Sequence, residues 1–168
     1  MKFQLTPQEN KTMAKKKEII IKKSETADTR TCDWSKVSKS QLLRSSKMHI
    51  SDVRKGLRFF NKLLSEASKK HDYTKIKNND QFHRDFRNGF KTIIWWKMHQ
   101  KEERHHFNNQ KYIQKDINLI DVLEQITDGV MAGMARSGKY RDEIPSGKLL
   151  LKAYKNTAKL LLNNLEVK

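Results

Sequence analysis

The stretch SDVRKGLRFFNKLLSEASKKH, residues 51–71, places apolar side chains at Val53, Leu57, Phe60, Leu64 and Ala67. Steps of four and three residues draw one stripe along an α-helix, whose turn takes 3.6 residues. The stripe reaches back to His49 and forward to His71, so it predicts a helix that ends in a histidine followed by Asp72. Three further stripes repeat the pattern. Phe82, Phe86, Phe90, Ile93 and Ile94 follow Asp80, a candidate N-cap, and run toward Trp95, Trp96 and His99. Ile117, Ile120, Leu123, Ile126, Val130 and Met134 make the third stripe. The fourth starts near Ser146, after Pro145, and carries Leu149, Leu150, Ala153, Tyr154, Leu161 and Leu165. Four such helices with polar connections predict an all-α, single-domain helical bundle.

Composition bounds the function. The chain holds 36 Lys and Arg against 19 Asp and Glu, a net charge of +17 that attracts polyanions such as nucleotides or nucleic acid. Residues 1–37, with Lys15, Lys16, Lys17, Lys22, Lys23, a Ser/Thr/Asp stretch at 24–31 and only Ile19–Ile21 as an apolar cluster, read as a basic, disordered tail with room for one short strand or helical turn, and residues 38–168 as the folded domain. No apolar run is long enough to span a membrane and the N-terminus lacks an apolar signal core, so a cytoplasmic protein with no membrane partner is expected. Cys32 is the single cysteine, which excludes an intramolecular disulfide and a zinc site built from sulfur. Any metal would be held by imidazole and carboxylate.

Those ligands are present. Six histidines, His49, His71, His83, His99, His105 and His106, fall largely at helix ends or in loops. In the third helix Asp121, Glu124 and Asp128 stand at i, i+3 and i+7 and share one face. Beside the apolar stripe they need a cation or metal to offset desolvation; otherwise they form a solvent-facing acidic edge. Gly129, Ala132 and Gly133 are small enough to admit a neighbouring helix.

His71-Asp72-Tyr73-Thr74-Lys75 at the end of an apolar helix resembles the His-Asp doublet of the HD superfamily of metal-dependent phosphohydrolases. His105-His106 and then Glu124-Gln125-Ile126-Thr127-Asp128 resemble its later histidines and closing aspartate. The order His-Asp-x-[ST]-Lys, a lone histidine (His99), His-His with an aromatic (Tyr112) after it, and Glu-x-x-x-Asp is similar to a little-characterised group of HD-like proteins common in bacteriophages. The resemblance covers residues 49–141. It implies an HD-domain-like fold, with His71, Asp72, His105 or His106, Asp128 and His99 as metal ligands and Asp72 able to bridge two ions. The ion would be Mn, Fe, Co, Ni, Zn or Mg. Lys75 would contact a phosphate.

Geometry qualifies the assignment. On one unbroken helix His49 and His71 stand about 33 Å apart and cannot share a metal, so His49 reads as a helix-start residue unless the chain breaks near residues 65–68. His99 and His106 can meet only if a helix ends between them, and one of His105 and His106 is expected to point inward. His83 reads as a surface residue, and Trp95-Trp96 as core or as a base-stacking platform. Arg136, Lys139 and Arg141 are the phosphate-binding candidates at the pocket mouth, near the Gly138 stop. The expected function is metal-dependent hydrolysis of a phosphomonoester or phosphodiester in a nucleotide or nucleic acid, phage-encoded and acting in the host cytoplasm. The alternative is a non-catalytic nucleic-acid-binding or virion/host-interaction protein on the same scaffold.

Overall fold

The computed structural model describes residues 17–23, 32–107, 109–141 and 143–168. Helices dominate, as the periodicity predicts. In chain order the elements are β1 (Ile19–Ile21), α1 (Lys39–Lys70), α2 (Tyr73–Lys77), α3 (Asn79–Arg87), α4 (Ile94–Glu102), α5 (Leu119–Ser137), α6 (Gly147–Asn163) and β2 (Leu165–Val167), with one 3-10 turn at Trp34–Lys36. No described helix is long and apolar enough to cross a membrane.

The first helix starts earlier than its stripe suggests. Ser38 caps α1 by accepting from the Gln41 N–H while the Gln41 side chain accepts from the Ser38 N–H, a reciprocal pair that satisfies two otherwise orphaned donors. From there 32 residues run without a break to Lys70. His49 is therefore inside the helix rather than at its start.

The second stripe divides between two helices. Gly89 and Phe90 both take positive φ, 66° and 57°, and close α3 before α4 begins. Asp85, fully buried, fastens the reversal by accepting from Trp95 N (2.7 Å), Gln81 Nε2 (2.9 Å) and Thr92 Oγ1 (3.1 Å). Asn78, not Asp80, is the residue at the N-terminus of α3. On α5 the cap is Asn118, paired with Asp121 in a second reciprocal box, and Gly138 ends the helix at φ 65°. Ser146 caps α6.

Ile117, Val122 and Ala153 form the buried centre between α5 and α6, with Phe107, Ile113, Leu119, Leu149 and Leu150 packed around it. The small residues of α5 serve a different neighbour from the helix expected. A Cβ on Gly133 would stand 2.4 Å from the Lys139 carbonyl oxygen and one on Gly129 3.3 Å from that of Arg141, so the returning segment 139–141 lies directly on α5.

Within residues 17–23 the structure has the short strand that the tail reading allowed for. Ile19–Ile21 pair in parallel with Leu165–Val167, Ile19 is buried, and Lys55 Nζ on α1 donates to the Ile20 carbonyl (2.9 Å). Three consecutive isoleucines are β-branched and apolar, and the chain end supplies the strand they pair with. Leu165 accordingly belongs to β2, not to the last helix. Lys15, Lys16 and residues 24–31 lie outside the described residues.

Candidate metal centre

The centre is assembled where α1 stops. His71 is the C-cap of α1, its N–H donating to the Ala67 carbonyl (2.9 Å). Asp72 then adopts φ 55° and ψ 20°, the left-handed region that aspartate tolerates better than most residues, and turns the chain into α2. His71 Nε2 lies 3.5 Å from Asp72 Oδ2 across this joint. Helix α5 passes alongside, with His71 Nδ1 3.0 Å from Glu124 Oε1 and His71 Nε2 3.7 Å from Asp128 Oδ1.

The opposite wall comes from α4 and the loop after it. His99 Nε2 stands 3.4 Å from Asp72 Oδ1. Because α4 ends at Glu102, His106 can fold back until its Nε2 is 2.8 Å from His99 Nε2. His105, 1% exposed, fills the middle, with Nδ1 3.1 Å from Glu124 Oε1 and Nε2 3.7 Å from Asp72 Oδ1. Both members of the His105-His106 pair thus face the cluster, where one was expected. The pair sits at a turn outside any helix, so neither side chain is carried away by helical rotation.

Three overlapping groups, His71/His105/Glu124, Asp72/His105/His106 and His71/Asp72/Asp128, each bring one ligand atom per residue within 4.8 Å of the others. Ligands about 2.0–2.2 Å from one ion stand at comparable mutual distances. Asp72 Oδ1 and both ring nitrogens of His105 are buried without a hydrogen-bond partner among the described residues, the nearest group to His105 Nδ1 being the Glu124 carboxylate at 3.1 Å. Polar atoms are seldom left this way, and a cation between them would satisfy Asp72 Oδ1 and the His105 Nε2 that faces it, while His105 Nδ1 is turned to Glu124. Imidazole nitrogen with carboxylate oxygen suits Zn, Fe, Mn, Co or Ni.

The electrostatics keep His99, His106 and the carboxylates in ligand form. Burial, reinforced by the His106 charge, pushes the His99 pKa down to about 3. Burial, with His105 next to it, takes His106 down to about 4. For His105 burial acts downward too, but the Glu124 carboxylate outweighs it and raises the pKa. Burial opposes ionisation of Asp72, yet the Lys75 ammonium, hydrogen-bonded to Oδ2, holds the carboxyl below its usual value. Glu124 likewise resists burial through His105 and His71. Neutral His99 and His106 beside ionised carboxylates are the protonation states that metal binding requires.

Residues outside the cluster orient it. Thr74 Oγ1 lies 2.6 Å from His99 Nδ1, and the Thr74 N–H donates to Glu103 Oε1 (3.0 Å). Trp95 stacks on the His99 ring with centroids 4.4 Å apart, and Trp96 meets His106 edge-on. Trp95 is 1% exposed, which makes it core and unavailable for stacking on a base. Arg104 Nε and Nη2 donate to the two oxygens of Asp121 (2.7 and 2.9 Å), bracing the histidine loop against the start of α5.

Of the residues expected from sequence, His71, Asp72, His99, His105, His106 and Asp128 converge. Glu124 joins them, although only its place on the acidic face and in Glu-x-x-x-Asp pointed to it. Asp121, on the same face, is engaged by Arg104 and by the Asn118 N–H instead. Thr74, Glu103 and Arg104 carried no signal beyond the Thr of His-Asp-x-[ST]-Lys. Lys75 is paired with Asp72. Arg136, Lys139 and Arg141 are exposed, and no hydrogen bond or ion pair among the described residues ties them to the cluster. His83 is exposed, and so is His49, which the unbroken α1 holds some 33 Å from His71. Comparison with family models, curated proteins and solved structures finds no match to this chain.

Proposed function

We propose that this chain is a metal-dependent phosphohydrolase on an HD-like helical scaffold, cleaving a phosphomonoester or phosphodiester of a nucleotide or nucleic acid. The observation that carries the reading is the convergence of His71, Asp72, His99, His105, His106, Glu124 and Asp128 around buried, unpartnered donor atoms of Asp72 and His105. Asp72 stands in the middle, facing His71 with one oxygen and His99 and His105 with the other, as a residue bridging two ions would. A divalent ion held there would act as a Lewis acid toward a phosphoryl oxygen and lower the pKa of bound water.

The chain's own groups supply the rest. Lys75 neutralises Asp72; with a cation held by Asp72, its ammonium would be available to donate to a phosphate oxygen. Arg136 in the last turn of α5, and Lys139 and Arg141 on the segment that lies across it, offer further cations. The net charge of +17 concentrates anionic substrate.

The Lys75–Asp72 pair also supports the non-catalytic alternative, since it balances the aspartate with no metal present. Metal analysis separates the two. Purified wild type is expected to carry a divalent metal that His71→Ala and Asp72→Ala lose, and to hydrolyse nucleotide phosphates with Mn²⁺, Co²⁺ or Ni²⁺ added. A wild type that binds none of these ions would overturn the enzyme reading.

A further inference from the structure

We propose that the face of α6 carrying Lys148, Lys152, Lys155 and Lys159 is a binding site for single-stranded nucleic acid, independent of the metal centre. The four lysines fall at i, i+4, i+7 and i+11 and so share one side of the helix. All four line a groove of about 810 Å³. None makes a hydrogen bond or ion pair among the described residues, and α6 itself contains no Asp or Glu. Against these four charges the described lining residues set one carboxylate, Glu143.

The ladder spans about 16 Å along the helix axis, too long for one phosphate group and matched to a short run of phosphodiesters. The rest of the groove wall includes the apolar Phe107, Ile113, Ile144 and Pro145, with Ile144 74% exposed. A single strand can lay phosphates along the lysines and turn its bases onto that apolar wall, a division of labour common to single-strand binders. A duplex keeps its bases stacked inward and cannot use the wall. The groove also adjoins the metal centre through one stretch of chain, in which His105 and His106 face the cluster and Phe107 lines the groove.

The test is fluorescence anisotropy with a labelled oligothymidylate in EDTA, over a salt series, so that the result does not depend on metal or activity. Changing Lys148, Lys152, Lys155 and Lys159 to Gln is expected to weaken binding at least tenfold. The slope of log K against log salt should flatten by about 3, since each lost phosphate contact removes about 0.7 for a single strand. Removing the same charge from exposed residues of α1, by changing Arg44, Lys47, Arg54 and Arg58 to Gln, should leave affinity nearly unchanged. Equal loss in the two variants, equal affinity for duplex DNA, or a preference for polyglutamate over the oligonucleotide would each overturn the proposal. Single lysine variants, each expected to lower the slope by about 0.7, decide the matter if the quadruple variant fails to fold.

Discussion

Thr74 Oγ1 stands 2.6 Å from His99 Nδ1, so the hydroxyl fixes the ring and leaves Nε2 turned toward Asp72 Oδ1 and His106. Groups that orient a ligating imidazole in this way raise metal affinity about 10–100-fold. Thr74→Val, which keeps the shape and deletes the hydroxyl, is expected to weaken Mn²⁺ or Co²⁺ binding by about that factor in calorimetric titration, while Thr74→Ser retains most of it. Unchanged affinity in the valine variant would remove His99 from the ligand set.

His49 supplies the matching control. The unbroken α1 holds it far from the cluster, so His49→Ala should bind Mn²⁺ or Co²⁺ as the wild type does, by the same titration. A loss of binding would mean that the helix bends in solution.

Arg104 grips Asp121 with two parallel hydrogen bonds, and the Asp121 side chain is almost fully buried. Arg104→Ala strands that carboxylate, and Arg104 is exposed enough that water recovers part of the loss. A destabilisation of about 2 kcal/mol is expected in urea unfolding. Arg104→Lys should recover little of it, because an ammonium cannot reproduce the two-point contact.

Acid should destabilise the metal-free protein. His99 and His106 titrate near 3 and 4 in the folded state, against 6.5 for the free side chain. Between pH 6.5 and about 4 the unfolded chain therefore binds more protons, and stability falls as the pH is lowered, by at most about 1.4 kcal/mol per pH unit for each histidine. His105, with its raised pKa, works the other way: its contribution is present at low pH and is lost as pH rises through that value. Below pH 4 the lowered Asp72 and Glu124 extend the loss. Thermal melting in EDTA between pH 7.5 and 4 measures the slope. A melting temperature flat across that range would mean that the two rings are not buried as a neutral pair.

Gly133 admits the Lys139 carbonyl where a methyl would collide with it at 2.4 Å. The obstacle is backbone, so Gly133→Ala must displace the 139–141 segment, at a cost of about 1–3 kcal/mol in thermal or urea unfolding. Wild-type stability in this variant would show that the segment does not lie against α5.

The helices on which the centre is built were legible because their apolar residues recur at helical spacing, most plainly Val53, Leu57, Phe60 and Leu64. What stayed hidden was where helices stop. In the stripe that runs from Phe82 to Ile94 the turn pair Asn88-Gly89 marks the reversal, but it is masked by apolar residues that keep helical spacing on both sides of it. Asp85, which fastens that turn, looks in sequence like any surface carboxylate. Sequence left the tail open between a short strand and a helical turn at most, for a similar reason: the strand with which Ile19–Ile21 pair, Leu165–Val167, is nearly 150 residues away.

Sequence by itself determined the donors. It supplied the His71-Asp72 doublet, His99, the His105-His106 pair and the shared face of Glu124 and Asp128, together with a charge that favours anionic partners. Only the tertiary structure decided which of them meet. The left-handed turn at Asp72 and the end of α4 at Glu102 bring His71, His99, His105 and His106 to one point. Asp121, one helical turn before Glu124, is drawn off by Arg104. Ligand chemistry is a property of side chains and can be read one residue at a time, whereas convergence depends on backbone reversals and on which cation reaches each carboxylate.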